Sequence, residues 1–257
     1  MKAIVTGATG GIGEALIEIL IKNGYEIIAV GRNLKKLQEL EIRYPRILKG
    51  YSIDLNDEKE IDRFLIEIEN EDIGMIINGA GIGEIGYFEN ISYSTLKDMI
   101  DINVIALTKF TKFFYDKMVK RENGIIVNIS STAGFQQGGP LMSVYYATKA
   151  YVNSLTLSLY EEGREKGVKV FILAPGPTKT NFKGMEGELS YLEKFYVTSP
   201  QEVAQEFWNG LNRDKMIIIP GKINKLLYFI DRFLPLKIKL KSIKKIQNKK
   251  LLKKLKK

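Results

Sequence analysis

The sequence predicts one doubly wound α/β fold: about seven parallel strands in a single sheet, helices on both faces, and a basic helical extension after it. Short apolar runs alternate with segments of helical periodicity, which is typical of right-handed βαβ units. The apolar runs are continuous, as in strands that are buried on both faces. A glycine-rich turn follows the first of them. We therefore expect one domain over residues 1–221 and an extension over 222–257.

The elements follow one another in a regular order. Strands are predicted in the runs KAIVTG, EIIAVG, RILKGYSIDL, IGMIINGAG, NGIIVNISS, VKVFILAPG and KMIIIPG. Helices are predicted in GGIGEALIEILIKNG, which Gly24 closes, in NLKKLQELEIRY, and in NDEKEIDRFLIEIENE, which Asn56 or Asp57 caps. Two longer helices are predicted over Ser94–Lys120 and Val144–Gly163 because their apolar spacing is helical.

Composition narrows the chemistry. The chain of 257 residues contains no Cys and no His, so disulfides, thiolates, imidazole bases and Ser-His-Asp triads are excluded, and no metal site is predicted. Acid–base chemistry falls to Tyr, Lys or carboxylates. Residues 222–257 hold 14 Lys and Arg and one acidic residue, while the whole chain has a net charge of +9. Positive charge is therefore concentrated in the extension.

Targeting signals are not predicted. The N-terminal run MKAIVTGATGG has no apolar segment after a basic one. No apolar run free of charge reaches the roughly 18 residues that a spanning helix needs. We expect a cytoplasmic protein.

The first strand end predicts a dinucleotide site. The segment Thr6–Gly13 reads TGATGGIG, and glycines there let the backbone approach a pyrophosphate at the start of a helix. A plain tight turn is the alternative. The usual Gly-x-Gly-x-x-Gly spacing occurs instead at Gly81–Gly86, where no amphipathic helix follows, so we interpret it as a chance match.

Three further strand ends carry polar or small residues. Arg32 stands where an acidic residue would bind a ribose hydroxyl, so NADP(H) is favoured over NAD(H), with a solvated Arg as the alternative. Asp54 is placed either to accept from an adenine amino group or to cap the next helix. Asn78–Gly81 supplies the small residues that close approach to a ribose requires.

Tyr145 and Lys149 are the strongest candidates for chemistry. They lie four residues apart in SVYYATKAYV and so share one helix face. A free Tyr titrates near pH 10, and a neighbouring cation lowers that pKa. The pair alone is weak evidence, but the same chain carries the glycine-rich turn and a Ser pair upstream.

Together these motifs resemble the short-chain dehydrogenase/reductase family, in its short single-domain branch. The resemblance covers residues 1 to about 220 and rests on six motifs in the family's order. They are TGATGGIG, NGAG at Asn78–Gly81, Asn103 in DINVIALT, NISSTAG at Asn128–Gly134, YYATK at Tyr145–Lys149 and PGPTKT at Pro175–Thr180. The family implies a Rossmann-type fold and hydride transfer between a nicotinamide and a carbonyl or hydroxyl carbon.

The resemblance also implies roles for single residues. Tyr145 would be the general acid or base, and Lys149 would hydrogen-bond the nicotinamide ribose and lower the Tyr145 pKa. Ser131 would orient the substrate oxygen, and Asn103 would hold a water that links Lys149 to solvent. Pro175 and Gly176 would shape the nicotinamide pocket, with Thr178 or Thr180 near its carboxamide. The expected cofactor-binding residues are Gly7, Thr9, Gly11, Ile12, Gly13, Arg32, Asp54, Asn78, Ala80, Gly81, Tyr145, Lys149, Pro175, Gly176 and Thr178.

Two departures from the family pattern leave alternatives. Gly79 replaces an Asn, and the interval from Ser131 to Tyr145 is 14, one residue longer than is common. Ser130 and Tyr146 remain the rival serine and tyrosine. The family further implies that the two long helices pair across a two-fold axis, so a dimer or a tetramer is expected.

The substrate is less well determined. The segment Phe182–Ser199 follows the sixth strand, where lids often lie. An apolar pocket is expected from Tyr87, Phe135, Leu141, Met142, Phe182 and Met185, about half of which could be ordinary core. An apolar ketone is favoured, with a 3-oxoacyl thioester reductase as the main alternative. A dinucleotide-binding protein without turnover is a second alternative.

The sequence of the extension is compatible with three roles. Its first part, KINKLLYFIDRFL, has helical apolar spacing and ends before Pro235, and a Lys-rich segment follows. It could lie on an anionic membrane surface, be packed or solvated as a plain tail, or bind a polyanion. Nucleic acid is the least favoured partner.

Overall fold

The computed structural model describes residues 1–180 and 196–255. Seven parallel strands form one sheet in the order β3-β2-β1-β4-β5-β6-β7. They are β1 Lys2–Thr6, β2 Glu26–Gly31, β3 Ile47–Ser52, β4 Ile73–Asn78, β5 Gly124–Ile129, β6 Val168–Leu173 and β7 Ile217–Ile218. The predicted doubly wound sheet is confirmed.

Helices cover both faces of this sheet. They are α1 Gly11–Lys22, α2 Leu34–Arg43, α3 Glu58–Glu67, α4 Tyr93–Ile100, α5 Leu107–Lys120, α6 Ser143–Arg164, α7 Pro200–Asn212, α8 Lys222–Asp231 and α9 Leu236–Leu255. Short 3₁₀ turns lie at Phe88–Asn90 and Thr132–Phe135. The chain reverses its winding direction between β1 and β4, and ligands of open α/β sheets bind outside the carboxyl ends of the strands at such a point.

Two apolar cores lie on opposite faces of the sheet. One is built around Leu16, Leu20 and Phe207 from α1 and α7, and the other around Phe110 and Phe114 from α5. The strands contribute to both cores, and Ile4, Ile76 and Val127 are fully buried. Continuous apolar strands are therefore the result of burial on both faces.

The long helix predicted over Ser94–Lys120 is interrupted. A π-helical segment, Asp101–Ala106, lies between α4 and α5. No Pro or Gly causes it. The side chain of Asn103 within the segment is bonded to a loop outside the helix, and π turns of this kind occur frequently at functional sites.

The extension forms two helices that fold back on the domain. α8 is anchored by Asn224, whose amide donates to the carbonyls of Pro220 at 3.0 Å and Tyr196 at 3.1 Å. A buried ion pair between Lys239 and Asp231, at 3.1 Å, closes the corner between α8 and α9. Among the described residues, no helix is both long and apolar enough to cross a bilayer.

Candidate active site

In the glycine-rich turn after β1, two positions are packed so closely that only glycine fits. Gly7 has a φ of +71°, and a Cβ there would lie 2.8 Å from the backbone of Gly79 and Ala80. A Cβ on Gly13 would lie 2.2 Å from the Gly7 carbonyl oxygen. The N-cap of α1 is Gly10, which provides no side-chain cap. The first backbone N–H groups of α1 are thus open to an anionic ligand, and the turn fits a pyrophosphate.

Thr6 ties this turn to the end of β4. Its hydroxyl accepts from the backbone N–H groups of Gly79 at 3.0 Å and Ala80 at 3.1 Å. The two loops expected to hold the cofactor are therefore fixed to each other across the reversal point. A Cβ on Gly79 would lie 2.7 Å from the Thr6 carbonyl oxygen, so Gly in place of the family's Asn keeps this contact close.

Arg32 is exposed at the end of β2. No hydrogen bond or ion pair of its guanidinium occurs within the described ranges, 1–180 and 196–255, whereas the neighbouring Asn33 caps α2 by accepting from the Lys36 N–H at 3.0 Å. Thr9 lies against Gly31, where a Cβ would be 3.0 Å from its methyl carbon. The exposed guanidinium has no ion-pair partner among the described residues, so this corner suits a phosphate group.

Asp54 is exposed just beyond β3. Its carboxylate accepts from the Asn56 N–H at 3.1 Å. The cap of α3 is Asp57, which accepts from the Lys59 N–H at 2.8 Å. Asp57 therefore fills the capping role for which both Asn56 and Asp54 were alternatives.

The side chain of Asn78 points into the helix layer. Its amide donates to Thr111 at 3.0 Å and to Asn128 at 2.8 Å, and the Asn128 amide donates to Thr156 at 3.0 Å. All four residues are buried. This network ties β4 and β5 to α5 and α6, so the Asn78 side chain has a structural role at the end of β4.

Tyr145, Ser131 and Lys149 meet beside β5. Ser131 is hydrogen-bonded to the Tyr145 side chain and also accepts from the Ala133 N–H at 3.1 Å. Ser130, the rival serine, instead donates to the Lys149 carbonyl at 3.1 Å and is buried. The Lys149 ammonium donates to the Ile129 carbonyl at 2.9 Å and lies 5.9 Å from the centre of the Tyr145 ring.

Burial shifts the pKa values of Tyr145 and Lys149 so that the neutral form of each side chain is favoured. It raises the pKa of Tyr145 to about 12, against a smaller lowering effect of the Ser131 hydrogen bond. It lowers the pKa of Lys149 to about 8. The expected lowering of the Tyr145 pKa by Lys149 is not what the structure gives, because the ammonium is directed to the Ile129 carbonyl.

Asn103 holds the loop after β4 from the π segment. Its carboxamide accepts from the Ile82 N–H at 2.9 Å and donates to the Ile82 carbonyl at 2.8 Å and to Thr148 at 3.1 Å. A Cβ on Gly81 would lie 3.2 Å from the Asn103 oxygen and 3.3 Å from the Lys149 nitrogen. Glycine at 81 leaves a small space that both polar atoms border.

The loop after β6 places two threonines differently. The Thr178 hydroxyl donates to the Gly176 carbonyl at 3.0 Å and is bonded to Thr198, and Thr178 is buried. The methyl of Thr180 lies 3.1 Å from the position of a Cβ on Gly11. Of the two alternatives, Thr180 thus faces the glycine-rich turn and Thr178 closes its own loop.

An apolar cluster lies beside Tyr145, where the substrate pocket was expected. Buried residues Ile85, Leu141, Met142 and Tyr146 form it, and Ala133, Tyr145, Ile243 and Leu251 pack on it. Leu141 and Met142 belong to the predicted pocket, whereas Phe135 packs on Tyr228 of α8 at 4.7 Å. Phe182 and Met185 lie outside the described residues, as does most of the predicted lid.

The sequence reasoning missed the residues of the extension. Tyr146 is bonded to Gln247, and Gly176 lies against Asn224, where a Cβ would be 2.5 Å from the side-chain oxygen. The i, i+3, i+4 spacing of Leu240, Ile243, Gln247 and Leu251 was the signal that one face of α9 is packed.

Comparison with known proteins agrees with this geometry. A glycine-rich turn, a Ser-Tyr-Lys group and a seven-stranded parallel sheet define a dinucleotide-binding protein of the α/β class. The model of the short chain dehydrogenase family matches residues 1–188. The chain belongs to the short-chain dehydrogenase/reductase family.

Several relatives have names that describe a reaction. The chain is 32% identical over 185 residues to the very-long-chain 3-oxoacyl-CoA reductase of Rattus norvegicus, covering 67% of this chain and 58% of the relative. It is 33% identical over 223 residues to an NADP-dependent 3-hydroxy acid dehydrogenase of Escherichia coli, covering 81% and 88%. The chain spans little more than half the length of the 3-oxoacyl-CoA reductases that it matches.

A solved structure agrees as well. A short-chain dehydrogenase from Sphingobium yanoikuyae in complex with NADPH is 27% identical, with a TM-score of 0.78 and coverage of 85% of this chain and 86% of that one.

Proposed function

We propose that this chain is an NADP(H)-dependent oxidoreductase that acts on a carbonyl or hydroxyl carbon of an apolar substrate, with Tyr145 as the general acid or base. The observation that carries the proposal is the hydrogen bond between Ser131 and Tyr145, with the buried Lys149 on the same helix face. The adjacent glycine-rich turn fits a dinucleotide. The cofactor, when bound, supplies or accepts the hydride.

Each residue of the group has a separate task. A Tyr145 pKa of about 12 keeps the phenol protonated near pH 7, so it can donate a proton to a developing alkoxide. Ser131 donates a second hydrogen bond to the same oxygen and stabilises its charge. Lys149 holds the ribose, and Asn103 positions the loop that borders the Lys149 nitrogen.

NADP(H) is favoured over NAD(H) by the end of β2. Arg32 is exposed there and forms no ion pair with a carboxylate of the described residues, which suits a 2′-phosphate. The names of the Escherichia coli relative and of the Sphingobium yanoikuyae complex support the same preference at 33% and 27% identity.

A 3-oxoacyl thioester is the second candidate substrate. The rat relative is named for reduction of a 3-oxoacyl-CoA, and the Escherichia coli relative for a 3-hydroxy acid. Both substrates carry the carbon under reaction at the same position of an acyl chain. The apolar cluster of Ile85, Leu141 and Met142 suits such a chain.

The remaining proposals concern the organisation of the chain. Residues 1–221 form the catalytic domain, and 222–257 form an extension that contacts the surface of an anionic membrane from the cytoplasm. The exposed apolar face of α8 beside the lysines of α9 supports the membrane contact. The two long helices build a homo-oligomer. A dinucleotide-binding protein without turnover is less favoured, because Ser131, Tyr145, Lys149 and Asn103 are all present and adjacent.

Replacement of Tyr145 tests the catalytic proposal. Tyr145→Phe should lower turnover at least ten-fold and leave NADP(H) affinity nearly unchanged, because loss of general acid catalysis typically costs on the order of 10²–10⁴-fold. Tyr151→Phe is the matched control, since Tyr151 lies on the same helix and is bonded to Thr108 instead.

The measurement is a screen of ketones and alcohols with both cofactors, followed by kinetics on the best pair. A Tyr145→Phe enzyme that keeps more than a tenth of the wild-type rate would refute the role of Tyr145. If no substrate is turned over by the wild type while the cofactor binds, the protein is a binding protein.

A further inference from the structure

The inner face of α9 forms part of the wall of the apolar cluster. Ile243 and Leu251 both pack on it, and between them Gln247 donates to the Tyr146 hydroxyl at 3.0 Å. Gln247 and Tyr146 are 5% and 8% exposed. Tyr146 is the chain neighbour of Tyr145, and their rings meet edge to face at 6.3 Å between centroids. A residue of the extension is therefore two side chains away from the candidate acid.

Polar contacts fix α9 in this position. Lys254 forms an ion pair with Glu84, and the Tyr87 hydroxyl donates to Asn248 at 3.5 Å. Both partners lie in the loop after β4, at the carboxyl end of the sheet where substrates of this fold bind. The helix is thus held against the loop that borders the site.

One polar atom of the Gln247 side chain makes no hydrogen bond to the described residues. Its side-chain oxygen is buried and has no hydrogen-bond partner in the described part of the chain. An unpaired buried acceptor costs about 1–3 kcal/mol, so such atoms are rare unless a ligand or a water completes them. Ile243 and Leu251, which lie one helical turn before and after Gln247 on α9, offer no side-chain donor.

We propose that Gln247 is a specificity-determining residue, whose carboxamide oxygen accepts a hydrogen bond from an O–H or N–H group of the substrate. The substrate is then an apolar carbonyl compound with one donor group at a distance from the carbonyl. A hydroxyl group or the N–H of an amide in a thioester's carrier arm has this chemistry. The inference rests on the proposed function and names the substrate class of the same site.

The test uses methyl ketones in matched pairs. In each pair one ketone ends in a hydroxyl group and the other in a methyl group. The chain length increases from pair to pair, so that the distance between the hydroxyl and the carbonyl increases as well. The wild type should prefer the hydroxylated ketone about ten-fold or more in kcat/KM at one length, since sites built around a substrate hydroxyl reject analogues that lack it.

Gln247→Leu should abolish that preference. We expect KM for the hydroxylated ketone to rise about ten-fold, kcat to change less than three-fold, and both parameters for the plain ketone to stay within three-fold. Gln247→Glu retains an acceptor oxygen and should keep a preference. Ile246→Ala is the control, because Ile246 is the adjacent residue and is 50% exposed.

Three kinetic outcomes would overturn the inference. They are equal effects of Gln247→Leu on both members of a pair, no effect on either, and a wild type that turns ketones over without preferring the hydroxylated one at any length. If Gln247→Leu does not fold, Tyr146→Phe decides, since it removes the hydrogen-bond partner that holds the Gln247 carboxamide and must alter the ratio within a pair. Calorimetric binding of the same pairs with NADP⁺ gives a readout without turnover, and a ratio unaffected by Gln247→Leu there also overturns it. An inactive wild type would instead count against the proposed function.

Discussion

Lys149 has the most strongly lowered pKa of the candidate site. Its pKa falls from an ordinary 10.5 to about 8 because the ammonium is buried. Below pH 8 both the folded and the unfolded chain carry this charge, and the folded state bears the whole cost of burying it. Between about pH 8 and 10.5 the folded chain releases its proton first, so the unfolded chain binds more protons and stability rises with pH.

Lys149→Met should remove this rise. The free energy of unfolding of the wild type, relative to the variant, is expected to increase by on the order of 2 kcal/mol from pH 7 to pH 10. Urea unfolding at four pH values measures it, with exposed Lys244→Met as the control. The range stops at pH 10 because Tyr145 contributes with the opposite sign above it. Parallel pH profiles for wild type and variant would contradict the prediction.

A second prediction for a single residue concerns Arg32. Arg32→Asp should shift the ratio of kcat/KM for NADP(H) over NAD(H) at least ten-fold towards NAD(H), because a carboxylate repels the 2′-phosphate and accepts from a ribose hydroxyl. Lys35→Asp makes the same change of charge three residues along the chain, at another exposed position, and should have a much smaller effect. A wild type that already prefers NAD(H) would refute the role of Arg32.

At the scale of elements, the strands and most helices follow from the sequence, because apolar continuity and spacing reflect burial directly. The location of the candidate site could also be predicted from the sequence, because the carboxyl ends of parallel strands meet at one edge of the sheet. The direction of the Asn78 side chain could not be predicted, because its partners Thr111 and Asn128 come from distant segments. The same holds for the bond between Gln247 and Tyr146, which joins residues 101 positions apart.

The extension divides into two helices with different surroundings. α9 is bonded to the domain, whereas α8 leaves five apolar side chains exposed. They are Ile223, Leu226, Leu227, Phe229 and Ile230, and Phe233 just beyond the helix is exposed as well. Phe229 and Phe233 also contact each other, at 5.4 Å between ring centroids. With the lysines of α9 next to it, this face has the character of an interfacial helix.

The full chain should bind vesicles that contain anionic lipid and should not bind neutral ones. Phe229→Ser combined with Phe233→Ser should abolish that binding, because it removes the apolar part of the face while the contacts of α9 are kept. Added salt should weaken binding, since charges are screened within about 8 Å at physiological ionic strength. Sedimentation with vesicles measures both.

Ile42→Ser is the control for that experiment, as Ile42 is 83% exposed on α2. Truncation after Gly221 is not a suitable variant for this test, because it would also remove Gln247 from its contact with Tyr146. If the double variant changes the oligomeric mass and no vesicle binds the wild type, the face of α8 contacts a second copy.

At the scale of the whole molecule, the two long helices expose a second apolar surface. Ile100 at the end of α4, Ile105 in the π-helical segment and Tyr151 on α6 are 43%, 41% and 39% exposed. We expect a dimer at micromolar concentration, built by α5, α6 and the segment before α5 across a two-fold axis.

Ile100→Asp should halve the mass measured by light scattering, because a carboxylate would be buried without a partner in the paired surface. Ile42→Asp introduces the same charge at an exposed position on α2 and should leave the mass unchanged. A wild type that is strictly monomeric would contradict this arrangement.

Asn103 has a further property that follows from its bonds to Ile82. Its carboxamide pairs with both the N–H and the carbonyl of one residue, as a peptide group in a neighbouring strand would. Asn103, although it lies in a helical segment, thus pairs with the loop after β4 as one residue of a neighbouring strand would. Asp cannot donate to the carbonyl, and Gln is one methylene longer. Pairing with the backbone of Ile82 is therefore sufficient by itself to select Asn at residue 103.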